Sequence, residues 1–406
     1  MEAPSNHFRM HIGLAGPVDP RLLGDLLNPL PRGRPLPEGL KGPNLAVLAR
    51  AFIDKGHSVS IFTLDKRLQS PVTLPGDQLQ VLLGPYRPSG RGRDFFRQER
   101  EHLRRAMEAV RPDLVHAHWT YEFAMAALDT GLPTLVTAHD APLRILTLMP
   151  DTYRLVRALM AVQVSRRAHH LTAISPHIAR HYRRFLRYPR DIRIIPNGFQ
   201  DALFELGARR QRPGAPAGPA VFAAVINGGW NPIKNPENLL RAFRKTRDDG
   251  NAFRLRMFGS GWGRNEDGWR NAVRRSLDEG VVFEGALPWN KLLEAMADGV
   301  DILVHPSREE GLSNAIVEAQ ALSIPVIGGA TSGAVPYLLG DGQAGVLVDI
   351  MSPAAIAAEM IALAEDPERR QALAESGHTY ARSHFHIDQV TDSYLDCYDQ
   401  MLAGSA

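Results

Sequence analysis

The 406-residue sequence has a single cysteine, Cys397, few aromatic residues and no long apolar run. One cysteine excludes an intramolecular disulfide and is typical of a reducing compartment. No segment approaches the roughly 18 apolar residues of a membrane-spanning helix. The first residues, MEAPSNHFRM, lack the apolar core of a signal peptide. We therefore expect a cytoplasmic protein.

The sequence has little excess charge of either sign, because the net charge is only +3. Between Asp151 and Arg193, however, the sequence has ten arginines and two aspartates. Such a segment forms either solvated helix faces or a surface for anionic lipid headgroups or an anionic acceptor, so peripheral contact with the inner face of the cell membrane is one interpretation. Nucleic acid is not an expected partner, because no known nucleic-acid-binding module accompanies the arginines.

Short β-branched segments alternate with helical patterns along the whole chain, which is typical of βαβ units in a parallel sheet. The first half has the segments RMHIGLAG, HSVSIFTLD, PDLVHAHW, PTLVTAHD, AHHLTAIS and DIRIIPNG, and the second has AVFAAVINGG, FRLRMFGSG, VVFEGAL, DILVHPS and IPVIGGA. The length predicts two domains. We therefore predict an α/β protein with two Rossmann-like domains that face each other across a cleft lined by strand ends.

Two further segments bear on this organisation. The stretch 208–220 is rich in Pro, Gly and Arg, which is typical of a linker or a domain boundary. We predict a first domain over residues 1–200 and a second over 201–385. The connection 17–43 is proline-rich and far longer than the usual βα loop of ~2–6 residues. It is interpreted as a lid or acceptor wall, with a surface loop of no function as the alternative.

Residues 307–327, SREEGLSNAIVEAQALSIPVI, follow a predicted buried strand and begin a predicted helix with Ser313 as N-cap. The free amides at 311–314 would face an anion, and phosphate is the natural ligand. Glu310 precedes the helix, and Glu318 lies about 7 Å of helical rise beyond its start. A carboxylate accepts paired hydrogen bonds from vicinal hydroxyls, so Glu318 suits a ribose and Glu310 suits a sugar ring beyond the phosphates.

A hydrolytic pair is the competing chemical interpretation of these two acids. It fits poorly, because hydrolytic carboxylates flank one bond at about 5 to 10 Å, whereas here a helix start lies between the acids in sequence. The purely structural alternative is an exposed loop acid and a helix acid that interacts with the helix dipole.

The stretch EEGLSNAIVEA resembles the Glu-x7-Glu motif of retaining GT-B glycosyltransferases of family 4. Seven more motifs occur in the order that this family uses, namely DLVHAHW, TLVTAHD, LTAIS, IIPNGF, KNPENLLRAF, PVIGG and HFHIDQVTDSYLDCYDQML. The resemblance covers nearly the whole chain. It implies a GT-B fold in which a last helix, residues 386–406, crosses back to pack on the first domain.

The resemblance implies roles for matching residues in the second half. Glu310 would be a catalytic residue that holds the donor sugar near the reacting carbon, and Glu318 would bind the nucleotide ribose. The amides of Gly311, Leu312 and Ser313 would contact the diphosphate. Lys234, in GGWNPIKN, would neutralise that diphosphate, which agrees with the need for positive charge on a departing diphosphate.

In the first half, the resemblance implies that His139, in TAHD, is a catalytic residue that contacts the transferred sugar. Gly39 and Gly42 occupy the place of a glycine-rich loop that approaches the phosphates. His118 is a weaker candidate for lining the cleft. His116 and His118 share one face of a strand, but a third metal ligand is lacking, so no metal site is predicted.

One departure from the family concerns Gly229, which occupies the place of a common arginine and is followed by Trp230. A second cation on the diphosphate is therefore unassigned, with Arg264 as one candidate.

The resemblance implies a retaining, metal-independent hexosyltransferase that needs no cofactor and uses a nucleotide-diphosphate sugar as donor. The acceptor would be a glycan, a lipid-linked molecule or a small molecule, in bacterial envelope or exopolysaccharide synthesis. Three alternatives stay open: a nucleotide-sugar epimerase, a polysaccharide phosphorylase, and a non-catalytic protein that binds a nucleotide sugar.

Overall fold

The structure is a computed structural model that describes residues 9–29, 35–210 and 218–403. The chain separates into two compact units. The first unit comprises Met1–Phe199 and Ile387–Ala406, and the second comprises Gln200–His386.

The first unit is built on an eight-stranded sheet. Its strands are β1 (His11–Ala15), β2 (Ser58–Asp65), β3 (Val72–Pro75), β4 (Leu79–Pro85), β5 (Leu114–His118), β6 (Thr134–Ala138), β7 (His170–Ala173) and β8 (Ile192–Ile194). They lie in the order β3-β4-β2-β1-β5-β6-β7-β8, and only the β3–β4 pair is antiparallel. The parallel sheet therefore agrees with the prediction, and the antiparallel edge strand is an addition to it.

Helices connect these strands, as βαβ units require. They are α1 (Asn44–Asp54), α2 (Arg97–Val110), α3 (Glu122–Leu128), α4 (Pro142–Leu148), α5 (Thr152–Arg167) and α6 (Pro176–Arg184). Helix α1 buries Leu45, Leu48 and Phe52, which recur at helical spacing on one face. This face packs against β2 and joins the apolar core of the unit.

The long connection 17–43 contains a short 3-10 helix, Pro20–Leu26, which packs against α1. Arg50 of α1 pairs with Asp25 in this segment, with 2.6 Å between Nη2 and Oδ1. The described ends of the loop are therefore fixed to the first unit. Residues 30–34 lie outside the described residues, and a role as lid or acceptor wall stays a prediction.

The second unit has a six-stranded sheet in the order β11-β10-β9-β12-β13-β14, and all its pairs are parallel. The strands are β9 (Val221–Val225), β10 (Arg254–Phe258), β11 (Val281–Gly285), β12 (Ile302–His305), β13 (Val326–Gly329) and β14 (Val346–Val348). The helices are α7 (Asp201–Arg209), α8 (Pro236–Asp248), α9 (Asp267–Arg274), α10 (Trp289–Gly299), α11 (Asn314–Ala321), α12 (Val335–Leu338), α13 (Pro353–Glu365) and α14 (Pro367–Phe385).

The chain passes from the first unit to the second between Phe199 and Gln200. The stretch 208–220 therefore lies inside the second unit, from the end of α7 to the start of β9, and its residues 211–217 are outside the described part of the chain.

The last helix, α15 (Ile387–Ala403), belongs to the first unit and packs against α1. Its buried face includes Val390, Tyr394 and Tyr398, which lie four residues apart. None of the helices within residues 9–29, 35–210 and 218–403 is long and apolar enough to cross a membrane.

Candidate functional site

Glu310 lies in the loop between β12 and α11 and is 8% exposed. Two side chains converge on one of its oxygens, Oε1. The Lys234 ammonium is 2.6 Å away, and Nε2 of His305, the last residue of β12, is 3.0 Å away. The structure thus brings together Lys234 and Glu310, which the sequence predicted as site residues, and adds His305.

The electrostatics keep this carboxyl ionised. Burial by itself raises the pKa of Glu310, but the nearby charge of Lys234 and the hydrogen bond from His305 outweigh it, so the pKa falls well below its usual range. An ionised carboxylate only accepts hydrogen bonds, so His305 donates through Nε2–H.

The backbone around Glu310 is held by a neighbouring turn. Gly333 has φ +61°, and a Cβ atom there would lie 2.4 Å from the Glu310 carbonyl oxygen, so only glycine fits. The next residue, Ala334, donates its amide to the same oxygen at 2.9 Å. This close approach fixes the position of Glu310.

Lys234 is positioned by the turn that precedes α8. The turn ends at Asn235, which has φ +52° and donates its side-chain amide to the carbonyl oxygens of Pro306 (3.2 Å) and Ile350 (2.9 Å). The Arg308 amide donates to the Ile233 carbonyl at 2.7 Å. The loops that carry Lys234 and Glu310 are therefore bonded to each other.

Helix α11 begins at Asn314, and Ser313 is its N-cap residue, as the sequence predicts. The Ser313 side chain makes no capping hydrogen bond. Among the described residues, no acceptor is bonded to the backbone amides of Gly311, Leu312 and Ser313. These amides are available to an anion at the helix start.

Glu318 lies within α11 and is 6% exposed. The indole Nε1–H of Trp289, at the start of α10, donates to its Oε1 at 2.8 Å. Burial raises the pKa of Glu318, and the Trp289 hydrogen bond opposes this only in part. No described residue is bonded to Oε2, so a ligand hydroxyl would provide a further hydrogen bond to the carboxylate.

Gly229 has φ +58°, in a turn where its Cβ would lie 3.2 Å from Asp267 Oδ2. An arginine is strained in this conformation, which explains physically why this chain has glycine there. Trp230 donates its amide to Asp267 at 3.1 Å, and the Arg275 guanidinium lies 4.7 Å from the Trp230 ring centroid. Arg264 is exposed, and whether it replaces the missing cation stays a prediction.

In the first unit, the ends of β5 and β6 bring three histidines together. His118 Nδ1 lies 2.9 Å from His139 Nε2, and the rings of His116 and His118 have centroids 4.2 Å apart. His118 is 7% exposed, and His139 is half-buried. The predicted site residues His118 and His139 are thus in direct contact, and their contacts with a substrate stay predictions.

Burial lowers the pKa of all three rings, and their mutual repulsion in the charged form adds to this for His116 and His118. The pKa falls to about 3 for His116 and His139, so these rings are neutral near pH 7. In the described part of the chain, no group of three or more His, Cys, Asp or Glu side chains is arranged to hold a metal ion.

Aromatic and charged side chains adjoin this histidine cluster. The Trp119 ring stacks on His139, with centroids 5.1 Å apart. The Tyr121 hydroxyl donates to Asp140 at 2.7 Å, and the Arg157 guanidinium lies 3.6 Å from the Tyr121 ring centroid. Sequence reasoning missed these residues, although Trp119 and Asp140 directly follow the strand-end histidines.

The two predicted phosphate-loop glycines pack against backbone. A Cβ at Gly39 would lie 2.2 Å from the Val18 carbonyl oxygen, and one at Gly42 would lie 2.3 Å from that of Pro17. The Gly39 amide donates to Asp65 Oδ2 at 2.8 Å. Close packing of the loop ends thus accounts for both glycines without a ligand, and phosphate binding there stays a prediction.

Known protein families match both halves of the chain. The model for "Glycosyltransferase Family 4" matches residues 45–202, and the model for "Glycosyl transferases group 1" matches residues 221–366.

Curated relatives carry the name D-inositol 3-phosphate glycosyltransferase. The protein from Segniliparus rotundus is 30% identical over 315 residues, which cover 74% of this chain and 68% of that protein. The protein from Nocardiopsis dassonvillei is 30% identical over 397 residues, which cover 88% of this chain and 90% of that protein.

Solved structures with low sequence identity share the fold. Sucrose-phosphate synthase from Thermosynechococcus elongatus gives a TM-score of 0.77 at 18% identity and covers 98% of this chain and 100% of its own. HepE from Anabaena in complex with UDP and glucose gives 0.67 at 18% identity, with 96% and 100% covered. The chain therefore belongs to the group 1, family 4 glycosyltransferases and has their GT-B fold.

Proposed function

We propose that this glycosyltransferase moves a hexosyl group from a nucleotide-diphosphate sugar to an acceptor hydroxyl, with retention of configuration and without a metal ion. The donor binds the second unit. The observation that carries this proposal is the convergence of Lys234 and His305 on buried Glu310 beside the start of α11.

This arrangement suits a leaving diphosphate. Breaking the glycosyl–phosphate bond places negative charge on the departing oxygen, and a cation together with helix amides stabilises such charge. Lys234 has three N–H donors, and its contact with Glu310 uses one of them. The amides of Gly311, Leu312 and Ser313 provide further donors.

Glu310 would bind the sugar of the donor, and Glu318 would bind its ribose. Oε1 of Glu310 is occupied by Lys234 and His305, which leaves Oε2 for a hydroxyl of the sugar. Glu318 likewise offers Oε2 to the ribose, and Trp289 holds Oε1. The solved HepE structures with UDP and with UDP-glucose support a uridine nucleotide as the first donor to test.

Retention would follow a front-face route, in which the leaving phosphate oxygen accepts the proton of the incoming hydroxyl as the new glycosidic bond forms. His139 would contact the transferred sugar. The family resemblance supports this route.

For the acceptor, we propose a glycan or lipid-linked molecule of bacterial envelope or exopolysaccharide synthesis. A small inositol phosphate is the second candidate, which the names of the curated relatives favour.

Peripheral contact with an anionic membrane is supported by one surface of the first unit. Phe185, just after α6, is 57% exposed, and the Arg184 guanidinium lies 5.5 Å from its ring centroid. Arg183 and Arg187 are also exposed. An exposed aromatic ring among arginines combines apolar insertion with attraction to anionic headgroups.

The test is incubation of the protein with UDP- and GDP-sugars labelled in the sugar, with and without a panel of acceptors. We expect transfer to an acceptor or slow hydrolysis, and the anomeric coupling constant of the product should show retention. Activity should persist after treatment with EDTA. Tight binding with no released nucleotide would indicate a binding protein, and an altered sugar without transfer would indicate an epimerase.

A further inference from the structure

The three histidines at the ends of β5 and β6 differ in their access to solvent. His116 is 0% exposed and His118 is 7% exposed, whereas His139 is half-buried. Nδ1 of His139 has no hydrogen-bond partner among the described residues, and this atom is accessible to solvent. Of the three rings, His139 is the one that can meet a substrate.

His116 is locked from both sides. Its Nδ1 lies 2.7 Å from the Tyr398 hydroxyl of α15, and its Nε2 lies 2.7 Å from the Thr137 hydroxyl of β6. The ring of His118 packs on this fixed ring. On the backbone side, a Cβ at Gly16 would already approach His118 Cβ to 3.1 Å. His118 is therefore held tightly in one position.

The hydrogen bond between His118 Nδ1 and His139 Nε2 can run in either direction. Both rings are neutral near pH 7, so each carries a single N–H. If His139 donates, His118 must carry its proton on Nε2, which is buried without a partner among the described residues. If His118 donates, that buried Nε2 is only an unused acceptor.

These two arrangements differ in cost. Orphaned N–H donors are rarer in protein interiors than under-used acceptors, because a buried donor without a partner loses its whole interaction with water. The arrangement in which His118 donates is thus favoured.

We propose that His118 is a positioning residue whose Nδ1–H donates to His139 Nε2 and thereby fixes His139 as the Nδ1–H tautomer. His139 then offers a hydrogen-bond donor to the substrate. This inference rests on the proposed function, since it defines how His139 would contact the transferred sugar. The donor would bind a sugar oxygen that accepts a hydrogen bond. The stacked Trp119 ring keeps the imidazole plane in place.

The direct test is the tautomer of His139 in the wild-type protein. Long-range 1H–15N correlation spectra of protein labelled with 15N-histidine distinguish a protonated Nδ1 from a protonated Nε2, and His139→Gln identifies the signals. We expect protonated Nδ1 at pH 7.5. Protonated Nε2 at His139, or an even mixture of the two tautomers, would overturn the inference.

A pair of variants separates positioning from simple packing. In His118→Asn, the side-chain amide ends near the position of the imidazole Nδ1 and can donate, whereas His118→Leu has a similar size and no donor. For the leucine variant we expect about a tenfold lower kcat, the factor of one hydrogen bond, with nearly unchanged KM. The kcat of the asparagine variant should lie within about threefold of the wild-type value. Equal kcat values in the two variants would contradict the inference.

The two readouts also separate this inference from the proposed function. The tautomer is measured on the protein without substrate, so it stands even if no sugar transfer is found. Sugar transfer by a protein with protonated Nε2 at His139 would support the function and refute the positioning role. If the leucine variant fails to fold, the wild-type spectrum still decides.

Discussion

The Lys234 ammonium lies 2.6 Å from Glu310 Oε1, although the family resemblance assigns the lysine to the diphosphate and the acid to the sugar. Without donor, each neutralises the other. The side chain of Lys234 is 29% exposed and that of Glu310 is 9% exposed, so the pair is largely shielded from solvent. A donor bound as proposed would meet an existing ion pair, so the contributions of Lys234 and Glu310 to donor binding should not be additive.

Removal of either partner should destabilise the protein through the other. In Lys234→Met, Glu310 would remain a buried carboxylate with one partner fewer, and we expect a loss of about 2 kcal/mol in the free energy of unfolding. The double variant Lys234→Met/Glu310→Gln should recover part of this loss. Urea unfolding of Lys234→Met, Glu310→Gln and the double variant measures these losses. Lys245→Met is the control, because Lys245 pairs with Asp249 at the surface, and it should change stability by less than about 0.5 kcal/mol. Fully additive losses would contradict the coupling.

Trp289 should control nucleotide binding through Glu318. Trp289→Phe keeps an aromatic ring but removes the donor to Glu318 Oε1, so the pKa of this buried carboxyl should rise further. We expect about five- to tenfold weaker binding of UDP, the factor of one hydrogen bond, measured by calorimetry. Trp289→Leu removes the ring as well and should show what the ring itself contributes. Unchanged affinity in Trp289→Phe would mean that this hydrogen bond has no part in binding.

The buried histidines predict how stability depends on pH. Their pKa values are lowered in the folded protein, to about 3 for His116, against 6.5 for a free histidine. Their contribution to stability is therefore present above about pH 6.5 and is lost as the pH falls towards 3, because the unfolded chain gains protons that the folded chain excludes. From pH 7 to 5, each such histidine should remove up to about 2 kcal/mol from the free energy of unfolding.

Urea unfolding of the wild type and of His116→Gln at both pH values measures this effect. The loss should be smaller in the variant by about the contribution of one histidine. The range ends above the usual carboxyl pKa of 4.5, which limits interference from Glu310. An identical loss in both proteins would show that His116 is not neutral and buried as described.

The arginines around Phe185 should govern binding to anionic vesicles. Each basic residue near such a surface contributes about 1 kcal/mol to binding. Changing Arg183, Arg184 and Arg187 to glutamine should therefore lower the affinity for vesicles that contain phosphatidylserine roughly tenfold or more, measured by co-sedimentation. Phe185→Ser should weaken it without a change in charge. A matched triple change of Arg241, Arg244 and Arg274 in the second unit should leave it unaltered. Equal partitioning of all variants would end the membrane hypothesis.

Much of the architecture could be predicted because parallel strands leave a clear pattern of short apolar segments between amphipathic helices. The strands β3, β4 and β14 were not predicted. Proline and glycine interrupt the sequence SPVTLPGDQLQVLLGP, which obscures the antiparallel pair β3–β4, and β14 has only three residues.

The acids of the candidate site could be predicted because Glu310 and Glu318 belong to a local motif. Their partners could not, because contacts such as Trp289 with Glu318 join residues 29 apart in sequence. For His305 a usable signal existed, since it ends a strand in the same way as His118. A histidine at the carboxyl end of a parallel strand is thus a candidate in both halves.

The position of α15 affects the order in which the two units can fold during synthesis. Residues 387–403 leave the ribosome only after the entire second unit, yet Tyr394 and Tyr398 cover the polar groups of His116 and Thr137 beneath the first sheet. During synthesis, this surface of the first 199 residues stays uncovered by α15, while the following 187 residues can already fold. A stop codon just before Ile387 would therefore destabilise the first unit, although the truncation directly follows the second unit in sequence.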